Sequence, residues 1–177
     1  QSFAFGGIAY LGEIESLSIV DAAYPSEPLA QYKTGTLPAD RGSYVQRLAK
    51  KGSILFVAHG IEGVRLLDVS DPYNPREVDE IPPGTDYSAR FVLVEGDRLY
   101  VTEEKTVLFN AVLLLRIFDI STPSAPRPLG TKPVGSGYGG MTETIGAGHI
   151  AVRLSGEIRI FEVRDPAAVR LVSSIPG

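Results

Sequence analysis

The chain contains no cysteine and only two histidines among its 177 residues. The absence of cysteine excludes disulfides, thiolate zinc sites and thiol catalysis, but it is compatible with the cytosol, the periplasm and the cell exterior. Basic residues are few and scattered, and the formal net charge is −4. Proteins that bind nucleic acids or anionic membranes usually carry a cluster of basic side chains. The sequence has no such cluster, so we expect no nucleic acid partner.

Long apolar runs and helical periodicity are also missing. The longest apolar stretch, residues 107–117, is interrupted by Asn110 and Arg116, and a membrane-spanning helix needs about 20 apolar residues. We therefore expect no direct membrane insertion. Short runs rich in β-branched residues alternate with turn residues, and no apolar pattern follows the 3.6-residue period of a helix. The sequence predicts an all-β fold in a single region, residues 1–177.

A repeated segment contains many of the 13 prolines of the chain. Four apolar runs each end in a carboxylate, at intervals of 47, 51 and 43 residues: Asp21, Asp68, Asp119 and Glu162. Four residues after each carboxylate comes a proline: Pro25, Pro72, Pro123 and Pro166. A proline ends strand pairing because it has no N–H to donate. We expect the carboxylates to accept backbone N–H groups in the turns that follow.

Each repeat is predicted to form four strands, and intervals of this size are typical of β-propeller blades. The sequence therefore predicts four four-stranded blades, at roughly residues 2–33, 43–81, 88–132 and 139–175. Propellers contain four to eight blades, and we expect these four to belong to a larger ring. A closed four-bladed ring and a ring formed by two copies are the alternatives. Unpaired blade edges would then allow self-association.

The segment from Gly63 to Pro75 closely resembles the LVIVD repeat of bacterial and archaeal surface propellers. Residues 115–126 and 17–28 resemble it nearly as well. These three copies have a second proline three residues after the first, at Pro28, Pro75 and Pro126, whereas the fourth copy lacks it and has Glu162 in place of aspartate. The resemblance spans almost the whole chain. It implies a propeller fold in an exported protein, located at the cell surface, in the extracellular space or in the periplasm, and it implies no particular activity.

Catalytic and metal-binding chemistry has little support in the sequence. The two histidines, His59 and His149, do not form the ligand spacing of a metal site or part of a catalytic triad, and we expect both to be solvated. The glycine-rich residues 135–140 lack the following helix and the lysine of a phosphate-binding loop. The acidic pairs at 79–80 and 103–104 lack the alternating ligands of an EF-hand and are expected to be solvated. We predict no catalytic residue, no metal and no cofactor.

An arginine recurs three residues before the motif carboxylate, as Arg65, Arg116 and Arg159. Strand alternation places these side chains on the face opposite their apolar neighbours, toward an adjacent blade. We expect each guanidinium to bind a carboxylate, a carbonyl or an aromatic ring there. The repeated arginines and carboxylates are therefore predicted to serve the structure of the repeat.

The connections between repeats each place a tyrosine just before an innermost strand. These connections share one propeller face, here called the loop face, with the loops between second and third strands, and loops usually carry function. Tyrosine offers a broad contact area with a polar tip. Tyrosines that only pack over the channel mouth are the alternative. The candidate ligand-binding residues of the loop face are Tyr44, Tyr87, Tyr138, Arg41, Asp86 and His59.

The third repeat has a longer hairpin between its second and third strands, and residues 107–114 are almost all apolar. Alternation points roughly half of such side chains away from the blade, and exposed apolar patches often mark interfaces. The alternative is that the hairpin folds back and covers the core of its own blade. The candidate interface residues are Val107, Phe109, Val112 and Leu113.

These patterns together predict a non-catalytic binding or scaffold module. Its loop face is expected to bind a protein, a peptide or a glycan. A purely structural propeller segment of a large surface protein or assembly is the first alternative. A propeller hydrolase or lyase is the second.

Overall fold

The computed structural model describes residues 2–13, 16–34, 44–108, 110–137, 141–146 and 148–177. Its strands form four antiparallel sheets of four strands each, and the strands of every sheet are ordered as they follow one another in the chain. The prediction of an all-β fold is confirmed. Helical structure in the described ranges is limited to a single 3₁₀ turn, Pro166–Ala168, and no described helix is long and apolar enough to cross a membrane.

The four sheets follow one another along the chain. Sheet 1 contains β1 (Ser2–Phe5), β2 (Ile8–Gly12), β3 (Ser16–Asp21) and β4 (Pro28–Lys33). Sheet 2 contains β5 (Arg47–Lys51), β6 (Ile54–Ala58), β7 (Val64–Asp68) and β8 (Arg76–Ile81). Sheet 3 contains β9 (Ser88–Glu95), β10 (Arg98–Val107), β11 (Asn110–Asp119) and β12 (Arg127–Ser136). Sheet 4 contains β13 (Met141–Gly146), β14 (His149–Leu154), β15 (Glu157–Glu162) and β16 (Arg170–Pro176).

The repeated segments occupy equivalent positions in the sheets. The motif carboxylate is the last residue of the third strand in every sheet. The next residue donates its backbone N–H to the turn between the first two strands, at 2.8 Å from Val69 to Ser53 and 2.9 Å from Ile120 to Asp97. The alignment of the four segments in the sequence therefore reflects one structural unit repeated four times.

Three of the motif carboxylates close the turn that follows their strand. The Oδ1 atoms of Asp21, Asp68 and Asp119 accept the backbone N–H two residues ahead, at 2.8, 2.9 and 2.8 Å. The longer Glu162 side chain instead accepts from the guanidinium of Arg170 at 2.6 Å. Because an aspartate has the right length to reach its own turn, the substitution in the fourth repeat changes how the turn is held.

Three apolar cores lie between consecutive sheets. The core between sheets 1 and 2 includes Leu17, Ile19, Leu55 and Val57. The core between sheets 2 and 3 includes Phe56, Leu66, Leu99 and Phe118. The core between sheets 3 and 4 includes Leu115, Ile117, Ile150 and Phe161. Alternating side chains of sheets 2 and 3 thus face different neighbours, so both sheets are buried on both faces.

The first strands of the sheets lie side by side, since β5 contacts both β1 and β9, and β9 contacts β13. Equivalent ends of the sheets also share a face. At the loop face a bridge joins Gly60, after β6, to Ala89 at the start of β9. At the opposite end, here called the turn face, the ammonium of Lys51 binds the Asp97 carboxylate and the Gly96 carbonyl. The sheets therefore form a β-propeller-like array.

Candidate functional site

The long hairpin of sheet 3 organises the loop face. β10 and β11 pair without interruption from Arg98 opposite Asp119 to Val107 opposite Asn110. Both strands are ten residues long, whereas the corresponding strands of sheet 2 have five. The insertion recognised in the sequence is therefore a continuation of the sheet toward the loop face, and it places residues 103–108 beside the connections between sheets.

A buried ion pair lies under this part of the hairpin. The Glu103 side chain is 1% exposed, and its Oε1 accepts from the Arg116 guanidinium at 2.7 Å. The other carboxylate oxygen accepts the backbone N–H of Gly84 at 3.1 Å, and Arg116 also donates to the Pro82 carbonyl at 2.7 Å. The pair therefore fixes the connection between sheets 2 and 3 against the hairpin. The prediction that residues 103–104 are solvated was wrong, because this partner from β11 compensates the burial.

A second ion pair positions a predicted binding residue. Glu104 accepts from Arg90 at 2.9 Å, and the same guanidinium donates to the Tyr44 hydroxyl at 3.1 Å. The pairing of β9 with β10 shifts by one residue between Thr102 and Glu103, so Arg90 has no residue opposite it on β10. Hydrogen bonds with Gln46 and Arg90 lower the pKa of Tyr44. The Tyr44 side chain is thereby tied to the hairpin although it remains 36% exposed.

The other described candidates lie on the connection that Glu103 holds. Lys105 extends from β10 and binds Asp86 at 2.7 Å. The same ammonium lies 5.9 Å from the centre of the Tyr87 ring. Asp86 has a φ of 64°, a left-handed conformation that aspartate adopts more readily than most residues. Tyr44, Asp86 and Tyr87 are therefore gathered on one face, at the sides of one hairpin.

The hairpin residues predicted as an interface divide into two groups. Leu113 is completely buried in the core between sheets 3 and 4, whereas Val107 is exposed and Val112 is half-buried. Leu108, which belongs to the predicted apolar hairpin but was not among its candidate interface residues, is 88% exposed and has a φ of 56°. A bulky residue in this conformation is uncommon. The exposed apolar surface of the described hairpin is concentrated at its tip.

Not every predicted site residue lies at this surface. His59 was expected to be solvated, and the structure corrects this, because the side chain is completely buried beside Glu62. Burial lowers the pKa of His59, and the nearby Glu62 carboxylate opposes this shift. Arg41, Phe109 and Tyr138 lie outside the described residues. Sequence reasoning also missed Arg90, whose only signal was its place next to the apolar run that begins at Phe91 in the innermost strand β9.

The three repeated arginines lie at equivalent positions, and two of them donate to carbonyl groups of the preceding repeat. Arg65, Arg116 and Arg159 stand opposite Val57, Val101 and Val152 in their ladders. Arg116 donates to the Pro82 carbonyl of the connection that follows sheet 2, and Arg159 donates to the Val134 carbonyl of sheet 3 at 2.9 Å. These contacts join consecutive sheets beyond what apolar packing provides.

Arg65 is the centre of a larger cluster between sheets 1 and 2. Its guanidinium binds Glu62 at 2.7 Å, Glu77 at 2.9 Å and also Glu80. The hydroxyl of Tyr32, from sheet 1, donates to Glu77 at 2.9 Å. Burial, and then the hydrogen bond to Glu77, raises the pKa of Tyr32 to about 12. This network likewise serves the contact between sheets.

The chemistry available at the loop face is that of a contact surface. Within the ranges that the structure describes, no group of three or more histidine, aspartate or glutamate side chains is placed to hold a metal ion. The carboxylates of Glu103 and Glu104 are bound to guanidinium groups. Among the described residues beside the hairpin, the accessible groups include two tyrosine rings, an exposed ion pair and the apolar hairpin tip.

Comparisons with known proteins support the repeat and the fold. The LVIVD repeat model matches residues 42–81, which include all of sheet 2, so the predicted LVIVD repeat is confirmed there. No curated protein matches the chain. A chain in the structure of S. cerevisiae Dbp5 bound to Nup159, Gle1, IP6 and ADP is 11% identical, with a TM-score of 0.56 over 97% of this chain and 41% of that chain.

The computationally designed Ika8 protein gives a TM-score of 0.55 at 10% identity, over 99% of this chain and 61% of that chain. The chain thus spans less than two thirds of either similar structure. At these identities the likeness concerns the fold alone.

Proposed function

We propose that this LVIVD-repeat chain is part of a β-propeller and acts as a non-catalytic binding module, taking a protein, a peptide or a glycan on its loop face. The observation that carries the proposal is the grouping of Tyr44, Tyr87 and the hairpin tip on one face. Tyrosine rings and apolar side chains supply contact area, and aromatic residues are enriched where proteins bind partners.

The way in which these side chains are held supports a binding role. The Tyr44 hydroxyl accepts from Arg90, which is itself bound to Glu104. The connection that carries Tyr87 is tied to the hairpin through Gly84 and Glu103. Side chains and loops that are already ordered lose less conformational entropy on binding. The buried ion pairs therefore favour a preformed contact surface.

The state of the ionisable groups supports a non-catalytic role. A general acid or base has to reach a substrate at hydrogen-bonding distance. Glu103 and Glu104 are instead buried and bound to arginines, and His59 is buried below the surface. Asp86 and Lys105, the accessible charges that flank Tyr87, are bound to each other.

We further propose that the ring contains more than the four described sheets. In sheets 2 and 3 the apolar residues four and two positions before the motif aspartate, such as Leu66 and Ile117, are buried by the next sheet. Their equivalents in sheet 4, Ile158 and Ile160, are only half-buried. A further blade would cover them. Together with the resemblance to surface propellers, this favours an exported protein of the cell surface, the extracellular space or the periplasm.

The experiment that tests the binding proposal compares tyrosines on opposite faces. The protein is screened on a glycan array and a displayed peptide library, and the affinity of each ligand found is measured for Tyr44→Ala and Tyr87→Ala. Tyr73→Ala is the matched control, because Tyr73 is 68% exposed but lies in the turn after the motif of sheet 2, on the turn face. Loss of binding in Tyr44→Ala and Tyr87→Ala alone is expected. Equal loss in Tyr73→Ala, or binding unchanged in all three, would contradict the proposal.

The purely structural alternative has one observation in its favour, which is the burial of Ala111 and Leu113 in the hairpin. Leu108→Asp and Leu113→Asp separate the two functions. On the binding proposal Leu108→Asp weakens ligand binding and leaves the unfolding temperature unchanged, while Leu113→Asp unfolds the protein. If Leu108→Asp changes neither property, the hairpin serves only the fold.

A further inference from the structure

A second concave site lies on the turn face, at the end of the sheets opposite the loop face, between sheets 3 and 4. It is a half-open depression with a volume of about 520 Å³, a size within the range of small-molecule sites. Tyr100, Leu129 and Val163 form its apolar part. Leu129 is 38% exposed, whereas the other two belong to the core between sheets 3 and 4. The cavity is therefore an opening at the edge of that core.

Two opposite charges line the cavity side by side. Glu95 and Arg98 are direct partners across the β9–β10 hairpin, so their side chains project from the same face of the sheet. Among the residues that the structure describes, neither takes part in an ion pair within 4.0 Å. The neighbouring Asp119 carboxylate is already bound by the Ser121 N–H and by Arg127 at 2.6 Å. Glu95 and Arg98 thus remain available to a ligand.

Comparison with the neighbouring interface shows why the cavity is open. Between sheets 2 and 3, Lys51 precedes the turn glycine of sheet 2, and its ammonium reaches Asp97 in the equivalent turn of sheet 3. Between sheets 3 and 4 the corresponding positions are Glu95 and Gly148. Gly148 has no side chain to pair with Glu95, and its φ of 74° disfavours one. Because Glu95 stands in the position of Lys51 and Gly148 in that of Asp97, no equivalent ion pair covers this interface, and the cavity is open.

We infer that this cavity binds a zwitterionic small molecule of amino-acid or dipeptide size. The ammonium of the ligand would bind Glu95, its carboxylate would bind Arg98, and its apolar side chain would pack against Leu129 and Val163. Opposed residues of an antiparallel pair have Cβ atoms about 4.5–5.5 Å apart, a spacing that suits the two charges of an α-amino acid. A ligand with one charge only would leave Glu95 or Arg98 without a partner.

The lining also selects against ligands of a single charge sign. An anion would meet the carboxylates of Glu95, Asp97 and Asp119, and a cation would meet Arg98 and Arg164. A zwitterion can instead make one charge-assisted hydrogen bond to each free group, and such bonds are the strong ones. Because the site lies on the turn face, the inference is independent of ligand binding at the loop face.

The test uses L-leucine as the probe and two analogues that each lack one charge, namely N-acetyl-L-leucine and L-leucinamide. Binding to the whole protein is measured by titration while two-dimensional NMR spectra of the backbone amides are recorded. We expect L-leucine to shift the amides of residues 95–98 and 119–121. Because each analogue loses one charge-assisted bond, it should bind roughly tenfold more weakly or worse.

Variants identify which group recognises which charge. Glu95→Gln should bind L-leucine roughly tenfold more weakly and should no longer distinguish it from N-acetyl-L-leucine, and Arg98→Gln should lose the distinction from L-leucinamide. Arg76→Gln, which removes the same charge as Arg98→Gln but at the start of β8, is the control and should bind normally. If either variant fails to fold, the affinities of L-leucine and its two analogues for the unaltered protein still test the inference. No shift with L-leucine at millimolar concentration, equal binding of all three compounds, or binding unchanged in both variants would overturn the inference.

Discussion

Replacing Arg116 with leucine should destabilise the protein strongly. The substitution leaves the Glu103 carboxylate, which is 1% exposed, without its cation. Of its two hydrogen-bond donors only the Gly84 N–H would remain. Removing one partner of a buried ion pair costs about 3–5 kcal/mol, because the remaining charge stays buried without compensation. We therefore expect Arg116→Leu to lower the free energy of unfolding by about that amount.

The double variant Glu103→Leu/Arg116→Leu tests the reason for this loss. Replacing both members of a buried pair with apolar side chains is often close to neutral. The Gly84 N–H and the Pro82 carbonyl would each lose one hydrogen bond, which costs about 1 kcal/mol apiece. The double variant should therefore be about 2 kcal/mol less stable than the natural sequence, and more stable than Arg116→Leu.

Urea unfolding followed by circular dichroism measures these differences. Asp86→Asn is the control, because it breaks the ion pair with Lys105, which is exposed, and exposed pairs contribute about 0–1 kcal/mol. Asparagine also tolerates the left-handed backbone at this position. If Arg116→Leu costs no more than Asp86→Asn, or if the double variant is as unstable as the single one, an uncompensated Glu103 charge is not the cause of the loss.

Three further outcomes are expected. Hydrogen bonds from Ser121 and then from Arg127 lower the pKa of Asp119 from 3.8 to about 2. The ionised Asp119 carboxylate therefore stabilises the fold fully above pH 3.8, and this contribution should be lost as the pH falls to about 2. Acid unfolding curves of Asp119→Asn should lack this dependence on pH. The protonated Tyr32 hydroxyl should stabilise the fold fully below 10.0, the pKa of an unfolded tyrosine, and this contribution should be lost as the pH rises through about 12. In an absorbance titration, Tyr32→Phe should lack the tyrosine ionisation that occurs at the highest pH in the natural sequence. Gly63→Ala should cost about 1–3 kcal/mol in thermal unfolding, because the residue has a φ of 80° and a Cβ would overlap the Ile81 carbonyl.

Local spacing accounts for what the sequence could predict. The interval between motif carboxylates follows from one structural unit, and strand alternation alone directs Arg65, Arg116 and Arg159 toward a neighbouring sheet. The turn role of the aspartates also depends only on residues two positions ahead. Such features involve a few consecutive residues, so they can be recognised without knowledge of the tertiary fold.

The burial of charged groups depends on partners that are distant in the chain, and sequence reasoning failed there. Glu103 is buried because Arg116 and Gly84 come from another strand and another connection. His59 is buried where the neighbouring Gly60 pairs with Ala89 of the next sheet. Alternation does not show which side of an insertion meets a neighbouring sheet, and hence it did not separate the buried Leu113 from the exposed Leu108.

On the proposed function, ligands bind the loop face beside the hairpin of sheet 3. Hydrogen–deuterium exchange, compared with and without a glycan or peptide found in the screen, tests it directly. Ligand binding should slow exchange in the segment around Tyr44, in residues 84–90 and in residues 103–108, and exchange should not change in the turns that follow the motif carboxylates. Slower exchange confined to those turns, at residues 70–75 and 121–126, would contradict it.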